Sequence, residues 1–419
     1  MIPSSTVDIE TDSMLPESIE ALRQCWSAHP GYMNFGTFGP STRTVLATEQ
    51  RVREAMNQDF SRFFEEHLQA QYVRERLARV AGFLDAGVED IVWLSGTTEA
   101  MNVAAQGLVL PPGSEVVTHN YEHPAGVYPW LYRAQRDEVS VRQLDYPQDC
   151  DSPEEILEFF ADAIGPATRV LSFSHVNYAD GAVLPVAAIC RLAEERGVIT
   201  VVDGAQAPGM LRVSVRELGC DIYATSLHKW TAGIYGSGAL YVHPRIQDKL
   251  KPLMVETFHG FSALTRFGLR SAPAGLDFRR DWPRAMRRFS GLFIYAGPLL
   301  AGTLAAIEEF DAVGLPVVEN EVKRLGDRLR GGLRAIAGIT LHTPAAMAAG
   351  ITSFEVAGLI PGEVTRRLRD DINVVGRVID HSPIGFQAVR LCSHVFNTDE
   401  TVDRVIELIA RLSEENGGK

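Results

Sequence analysis

Long apolar runs are missing from this chain of 419 residues. Its most hydrophobic stretches, such as Gly291–Leu304, fall short of the roughly 18 consecutive apolar residues that a membrane-spanning helix needs. Cysteine is scarce. The five present, Cys25, Cys150, Cys190, Cys220 and Cys392, are scattered, odd in number and form no CxxC pair, so they read as reduced thiols in a cytoplasmic protein. The opening MIPSSTVDIETDSMLPESIE lacks the basic start and apolar centre of a signal peptide, so export is not expected. Positive charge is in deficit: 40 Lys and Arg face 53 Asp and Glu, a formal net charge of −13. That balance argues against nucleic acid or an anionic membrane as the main partner. No Walker loop, GxSxG elbow or HExxH is present, and the glycine run Gly233–Gly238 does not follow a strand in a βαβ unit. What remains is an ordinary globular composition, 46% hydrophobic and 22% charged, in a chain long enough to bury a large core.

The middle of the chain alternates strand-length apolar runs with helical stretches. Asp90–Ser95, Glu115–His119, Arg169–His175 and Val198–Asp203 read as buried strands, with later ones at Ile222–Thr225 and Gly238–His243. Helical patterns lie between them around Thr98–Leu108, Ala125–Gln135, Pro153–Ile164 and Pro185–Arg196. This alternation predicts an α/β fold with a mostly parallel sheet covered by helices. Past residue 300 the texture changes. A long helical pattern over Leu304–Ile336 breaks near Val313–Pro316; short strands follow at Ile351–Val356 and Ala388–Cys392, with a helix at Gly362–Asp371 between them. A final helix, Asp399–Leu412, starts after Asn397 and Thr398, with Glu400 spaced for a capping box on Asn397. The expected organisation is an N-terminal segment (1–30), a large domain (31–300) containing a long loop at 256–283, and a smaller C-terminal α+β domain (301–419).

Chemistry concentrates in Val198–Val242. One apolar strand ends in Asp203, and 26 residues later another ends in Ser226-Leu227-His228-Lys229. Ligands of a parallel sheet sit at the carboxyl ends of its strands, so this spacing brings a carboxylate and an amine to one crevice. Pyridoxal phosphate needs both: a lysine joins it covalently, and an acid pairs with its protonated ring nitrogen. With Gly-Ala-Gln after the acid and Ser-x-His before the amine, the segment resembles the class V aminotransferase family, the cysteine desulfurase-like and isopenicillin N epimerase-like group. The resemblance runs from about Asn34 to the last helix.

It implies a fold-type I enzyme that binds pyridoxal 5′-phosphate and an amino acid substrate, as a homodimer with the active site between subunits. Ser95-Gly96-Thr97-Thr98-Glu99 looks like the family's phosphate-binding turn, which assigns Thr97 and Thr98 to the phosphate; Ser226 and His228 match positions that help hold it. Gln206 matches the residue that bonds the ring hydroxyl, and His123, in EHPAGVYPW, the imidazole that lies on the ring. His119, four residues earlier, lacks a clear third ligand, so no metal site is expected; it reads as packed or exposed. Arg390, in AVRLCSHVFNT, matches the clamp for the substrate's α-carboxylate. Asn34, in NFGTFGP, matches a loop that reaches the substrate.

Three departures from the family pattern narrow the activity. The stretch before the clamp, Gly376–Pro383, has no cysteine, and Cys392 reads as a packing residue, which disfavours desulfuration through a persulfide. Tyr178 replaces an Asn beside the ring oxygen, where a phenol would reach the substrate or sit as a core ring. Ser290-Gly291-Leu292 lacks the Thr that lends a hydroxyl to the neighbouring subunit's phosphate. With Lys229 as base, four outcomes stay open: β-elimination of C–S lyase type, which makes the fewest demands, then epimerisation, transamination and decarboxylating oxidation. A catalytically inactive homologue that only binds the cofactor is the non-enzyme alternative.

Overall fold

The Val- and Ile-rich apolar runs of the middle chain become a seven-stranded sheet. In this computed structural model, which describes residues 15–67, 70–148, 150–253, 297–381 and 385–417, the strands are β1 (Ile91–Leu94), β2 (Ser114–His119), β3 (Val139–Leu144), β4 (Thr168–Ser174), β5 (Ile199–Asp203), β6 (Ile222–Ser226) and β7 (Gly238–Val242). Their order is β1-β7-β6-β5-β4-β2-β3. Neighbours from β6 to β3 run parallel, while β7 is antiparallel to both β1 and β6. All strands but β7 therefore point their carboxyl ends to one edge. Helices Thr97–Gly107, Pro124–Arg136, Pro153–Ala163 and Val186–Glu195 connect them. The inner strands β5, β6 and β7 are buried almost without break, as continuous apolar strands in a two-sided sheet must be.

The C-terminal part carries a four-stranded antiparallel sheet of β8 (Ile339–Leu341), β9 (Ile351–Val356), β10 (Arg377–His381) and β11 (Phe386–Cys392), in the order β10-β11-β9-β8. It has its own core, with Phe354, Leu368, Leu391, Val405 and Leu408 among its buried members. The long helical pattern divides at Gly314, whose φ of +94° ends the helix Gly297–Val313 before Leu315–Arg334 begins. Among the described residues, no helix is long and apolar enough to cross a membrane.

Two details differ from expectation. The last helix is capped by Thr398, whose side chain accepts from the Thr401 N–H, and not by a box on Asn397. The Asn397 amide turns inward instead, donating to the carbonyls of Pro30 and Tyr32 and accepting from the His394 N–H. The edge strands β3, β8 and β10 escape the apolar-run criterion because they are short or carry exposed charge. The loop expected at 256–283 and the stretch Ser290-Gly291-Leu292 lie outside the described residues.

Residues 31–39 lie between the two sheets. Tyr32 bridges to Val375, and Met33 exchanges backbone bonds with Val375 and Cys392. Met33 belongs to the core of the small sheet; Phe35 belongs to the large core and stacks on His394 at 3.8 Å. The Gly39 N–H then donates to the His228 carbonyl.

Candidate active site

The carboxyl ends of β1, β2, β4, β5 and β6 open on one cavity of about 370 Å³, within the range of small-molecule sites. Its wall brings together Thr97, Thr98, His123, Tyr178, Asp203, Gln206, Ser226, His228, Lys229 and Arg390. Of the cofactor and substrate residues expected from the sequence, all described, Asn34 alone stands off the wall; Gly36, Thr37 and Phe38 of its loop line the cavity instead.

At one end, β1 turns into the helix Thr97–Gly107 through Gly96. Gly96 has φ +150°, and a Cβ there would sit 3.1 Å from the His228 ring and 3.2 Å from the Ser226 hydroxyl. The turn therefore depends on glycine for both conformation and space. The Thr97 N–H donates to Ser226 Oγ at 3.0 Å, and the two hydroxyls lie 2.8 Å apart. His228 Nδ1 is 2.9 Å from the Ser237 carbonyl, an acceptor only, so that nitrogen carries the proton. A helix start, three hydroxyls and an imidazole thus converge where an anion is favoured.

In the middle, Asp203 ends β5 and is 4% exposed, with the Ala205 N–H donating to its carboxylate at 2.9 Å. Burial, reinforced by the neighbouring Glu122 carboxylate, pushes its pKa up to about 6. Lys229 follows β6, and burial lowers its ammonium to about 8 against the pull of Asp203. Its amine has no hydrogen-bond partner among the described residues. Gln206 is fixed at both ends, donating to the Gly36 carbonyl and accepting from the Trp230 indole. His123 caps the helix Pro124–Arg136 with Nδ1 accepting from the Ala125 N–H, and burial lowers it to about 4. It is a neutral imidazole with its remaining proton on Nε2.

At the far end Arg390, 1% exposed in β11, donates to the Tyr178 carbonyl, to Asn34 Oδ1 and to Thr37 Oγ1. The Tyr178 ring meets His123 edge to face at 5.0 Å, and its hydroxyl is hydrogen-bonded to His381 Nε2. Burial raises the phenol to about 12, so it stays protonated.

Sequence reasoning missed four residues here. Arg377 lines the cavity from β10, and Thr37 accepts from both it and Arg390. His381 stands behind Tyr178. Glu122, buried beneath Asp203, pairs with His119 at 2.7 Å and accepts from the Ser174 N–H and hydroxyl. His119 is thus packed, not exposed. Glu122 lay within the EHPAGVYPW stretch already singled out; Arg377 and His381 needed the antiparallel register of β10 on β11, which no local pattern announces.

The family model Aminotransferase class-V matches residues 42–277, more than half of the chain. An isopenicillin N epimerase of Amycolatopsis lactamdurans is 30% identical, the match spanning 91% of this chain and 94% of that protein. A probable cysteine desulfurase of Methanothermobacter thermautotrophicus is 29% identical over 81% and 84%. Among solved structures, the cystine C–S lyase C-DES, in complex with its reaction product cysteine persulfide, superposes with a TM-score of 0.76 at 23% identity over 91% of this chain and 98% of that one. A mutant of C-DES, with glycine covalently linked to the PLP cofactor, gives 0.77. The chain belongs to the class V aminotransferase family of pyridoxal 5′-phosphate enzymes.

Proposed function

We propose that this enzyme breaks the bond between the β carbon and sulfur of an S-substituted cysteine, a β-elimination of C–S lyase type. The cavity suits the cofactor. Among the described residues Asp203 is a buried carboxylate without a cationic hydrogen-bond partner, as a protonated ring nitrogen would require, and Gly96 leaves a cradle at a helix start that any Cβ would fill. Thr97, Thr98, Ser226 and His228 would hold the phosphate, Gln206 the ring hydroxyl, Asp203 the ring nitrogen and His123 the ring face, with Lys229 as the covalent attachment. When bound, pyridoxal phosphate supplies the electron sink that makes the α-carbon proton removable.

The observation that carries elimination over persulfide chemistry is the pairing of a protonated phenol with the absence of a cavity thiol. Tyr178 lines the wall with its hydroxyl bonded to His381, and this pair would donate the proton to a departing thiolate. All five cysteines are described, and none lines the cavity. Cys392 is buried behind it, its sulfur accepting from the Gly36 N–H at 3.3 Å, and burial raises its thiol. Lys229, with an ammonium weakened to about 8, takes the α proton near neutral pH. Arg390 holds the α-carboxylate while Asn34 and Thr37 hold Arg390.

Epimerisation is the second reading, because Tyr178 against His123 offers the α carbon a proton donor other than Lys229. Tyr128, Leu131 and Tyr132 expose 65%, 41% and 61% of their surfaces on the helix that His123 caps, which supports a homodimer joined beside the site. Sedimentation of a monomer at micromolar concentration would remove that part of the reading. The reaction is tested by mass spectrometry of products from S-substituted L-cysteines in heavy water. Pyruvate and free thiol are expected; recovered substrate with α-deuterium and an inverted centre, and no pyruvate, would replace elimination by epimerisation.

A further inference from the structure

We propose that the substrate carries a second negative charge, a carboxylate on its side chain, and that Arg377 receives it; this rests on the same cavity and α-carboxylate clamp as the reading above. Arg377 and Arg390 are directly opposite each other in the antiparallel pair β10–β11. Side chains directly opposite share a face, and like charges there are destabilising, so an acid would suit the fold better at either position. Both guanidiniums nevertheless line the cavity and donate to one hydroxyl, that of Thr37, at 2.9 and 3.1 Å. The other acceptors of Arg390 are uncharged: the Tyr178 carbonyl and the Asn34 amide oxygen. No carboxylate pairs with either arginine among the described residues. Nε of the buried Arg390 has no hydrogen-bond partner among the described residues.

The acids on the cavity wall do not serve this end. Glu99 accepts from the Ser95 N–H and hydroxyl beside the phosphate turn, and Asp203 takes the Ala205 N–H beside Lys229. One α-carboxylate neutralises one guanidinium. The second remains positive, on an exposed residue of β10 that lines the cavity. A planar guanidinium recognises a carboxylate through paired N–H donors, and this selects amino acids such as S-(carboxymethyl)cysteine over neutral ones of the same shape.

The test compares S-(carboxymethyl)-L-cysteine with its isosteric amide, S-(carbamoylmethyl)-L-cysteine, as substrates, and adipate with its monoamide as unreactive ligands measured by calorimetry on the holoenzyme. The acid should exceed the amide about ten- to a hundredfold in kcat/KM and in affinity, as charge-assisted hydrogen bonds do. Arg377→Gln should bring both ratios down towards one, and Arg377→Lys should restore part of the preference. If pyruvate forms from acid and amide at equal rates, the elimination reading stands and this one falls. If neither compound yields pyruvate yet adipate binds tighter and Arg377→Gln removes that margin, elimination falls and the second anion site stands. An unchanged acid-to-amide ratio in Arg377→Gln overturns the proposal.

Discussion

The two ends of the cavity are built by different architectures. At the cofactor end, Thr97, Asp203, Ser226 and Lys229 follow parallel strands whose ends line up whatever the loops contain. At the substrate end, Arg377, Arg390 and His381 depend on the register of one antiparallel pair, and Tyr178 on a loop after β4. A one-residue slip would turn every side chain of β10 to the opposite face. On the reading proposed above, the second end sets specificity.

Substitutions should separate the ends, with effects falling from the first to the second. Lys229→Ala should reduce turnover by at least about a thousandfold, since it removes both attachment and base, while the protein still retains cofactor through its phosphate; absorbance after gel filtration and product assays check the two halves. Asp203→Asn exchanges an ion pair for a neutral amide. At 4 Å and an effective dielectric of 20 that pair is worth about 4 kcal/mol, so its loss lowers kcat by up to roughly a thousandfold. Arg390→Ala should raise KM about ten- to a hundredfold with the cofactor spectrum unchanged. Loss of cofactor from Arg390→Ala with KM preserved would erase the division between the ends.

A further contrast lies in the pH dependence of the stability of the cofactor-free protein. Burial lowers Lys229 to about 8 from an ordinary 10.5. Between those values the unfolded chain binds more protons, so the folded state gains stability as pH rises through this window, and below it the penalty is complete. Asp203 behaves oppositely. Its carboxyl is raised from 3.8 to about 6, so its contribution is present at low pH and is lost between about 4 and 6. Denaturant titrations of the apoprotein and of Lys229→Met should therefore converge above pH 10; parallel curves from pH 7 to 11 would contradict a buried amine.

This asymmetry also decides what the amino-acid sequence discloses. Continuous apolar runs ending in Asp203 and in Ser226-x-His228-Lys229 locate the cofactor end, because burial on both faces leaves a local signature. The inner strands lie within a residue or two of their expected bounds. Arg390 is recognisable through its flanking motif, but its neighbour Arg377 looks like any exposed strand charge until β10 is laid against β11. Likewise Glu122 gives no sign that its carboxylate is buried against Ser174 and His119. Long-range pairing, not composition, makes these residues matter.

Residues 31–39 connect the two ends physically. Thr37 accepts from both substrate-end arginines, Gln206 donates to the Gly36 carbonyl, and Gly39 bonds the backbone beside Lys229. A Cβ at Gly36 would come within 3.1 Å of the Arg390 guanidinium, and one at Gly39 within 2.0 Å of the Lys229 carbonyl. Evolution of a new substrate preference is constrained accordingly. Insertions or bulkier residues in this segment disturb Arg390 and Lys229 together, so on the reading proposed above the accessible route to altered specificity runs through β10, where replacing Arg377 gives up one of the two bonds to Thr37 and leaves those of Arg390, Gln206 and Gly39 in place.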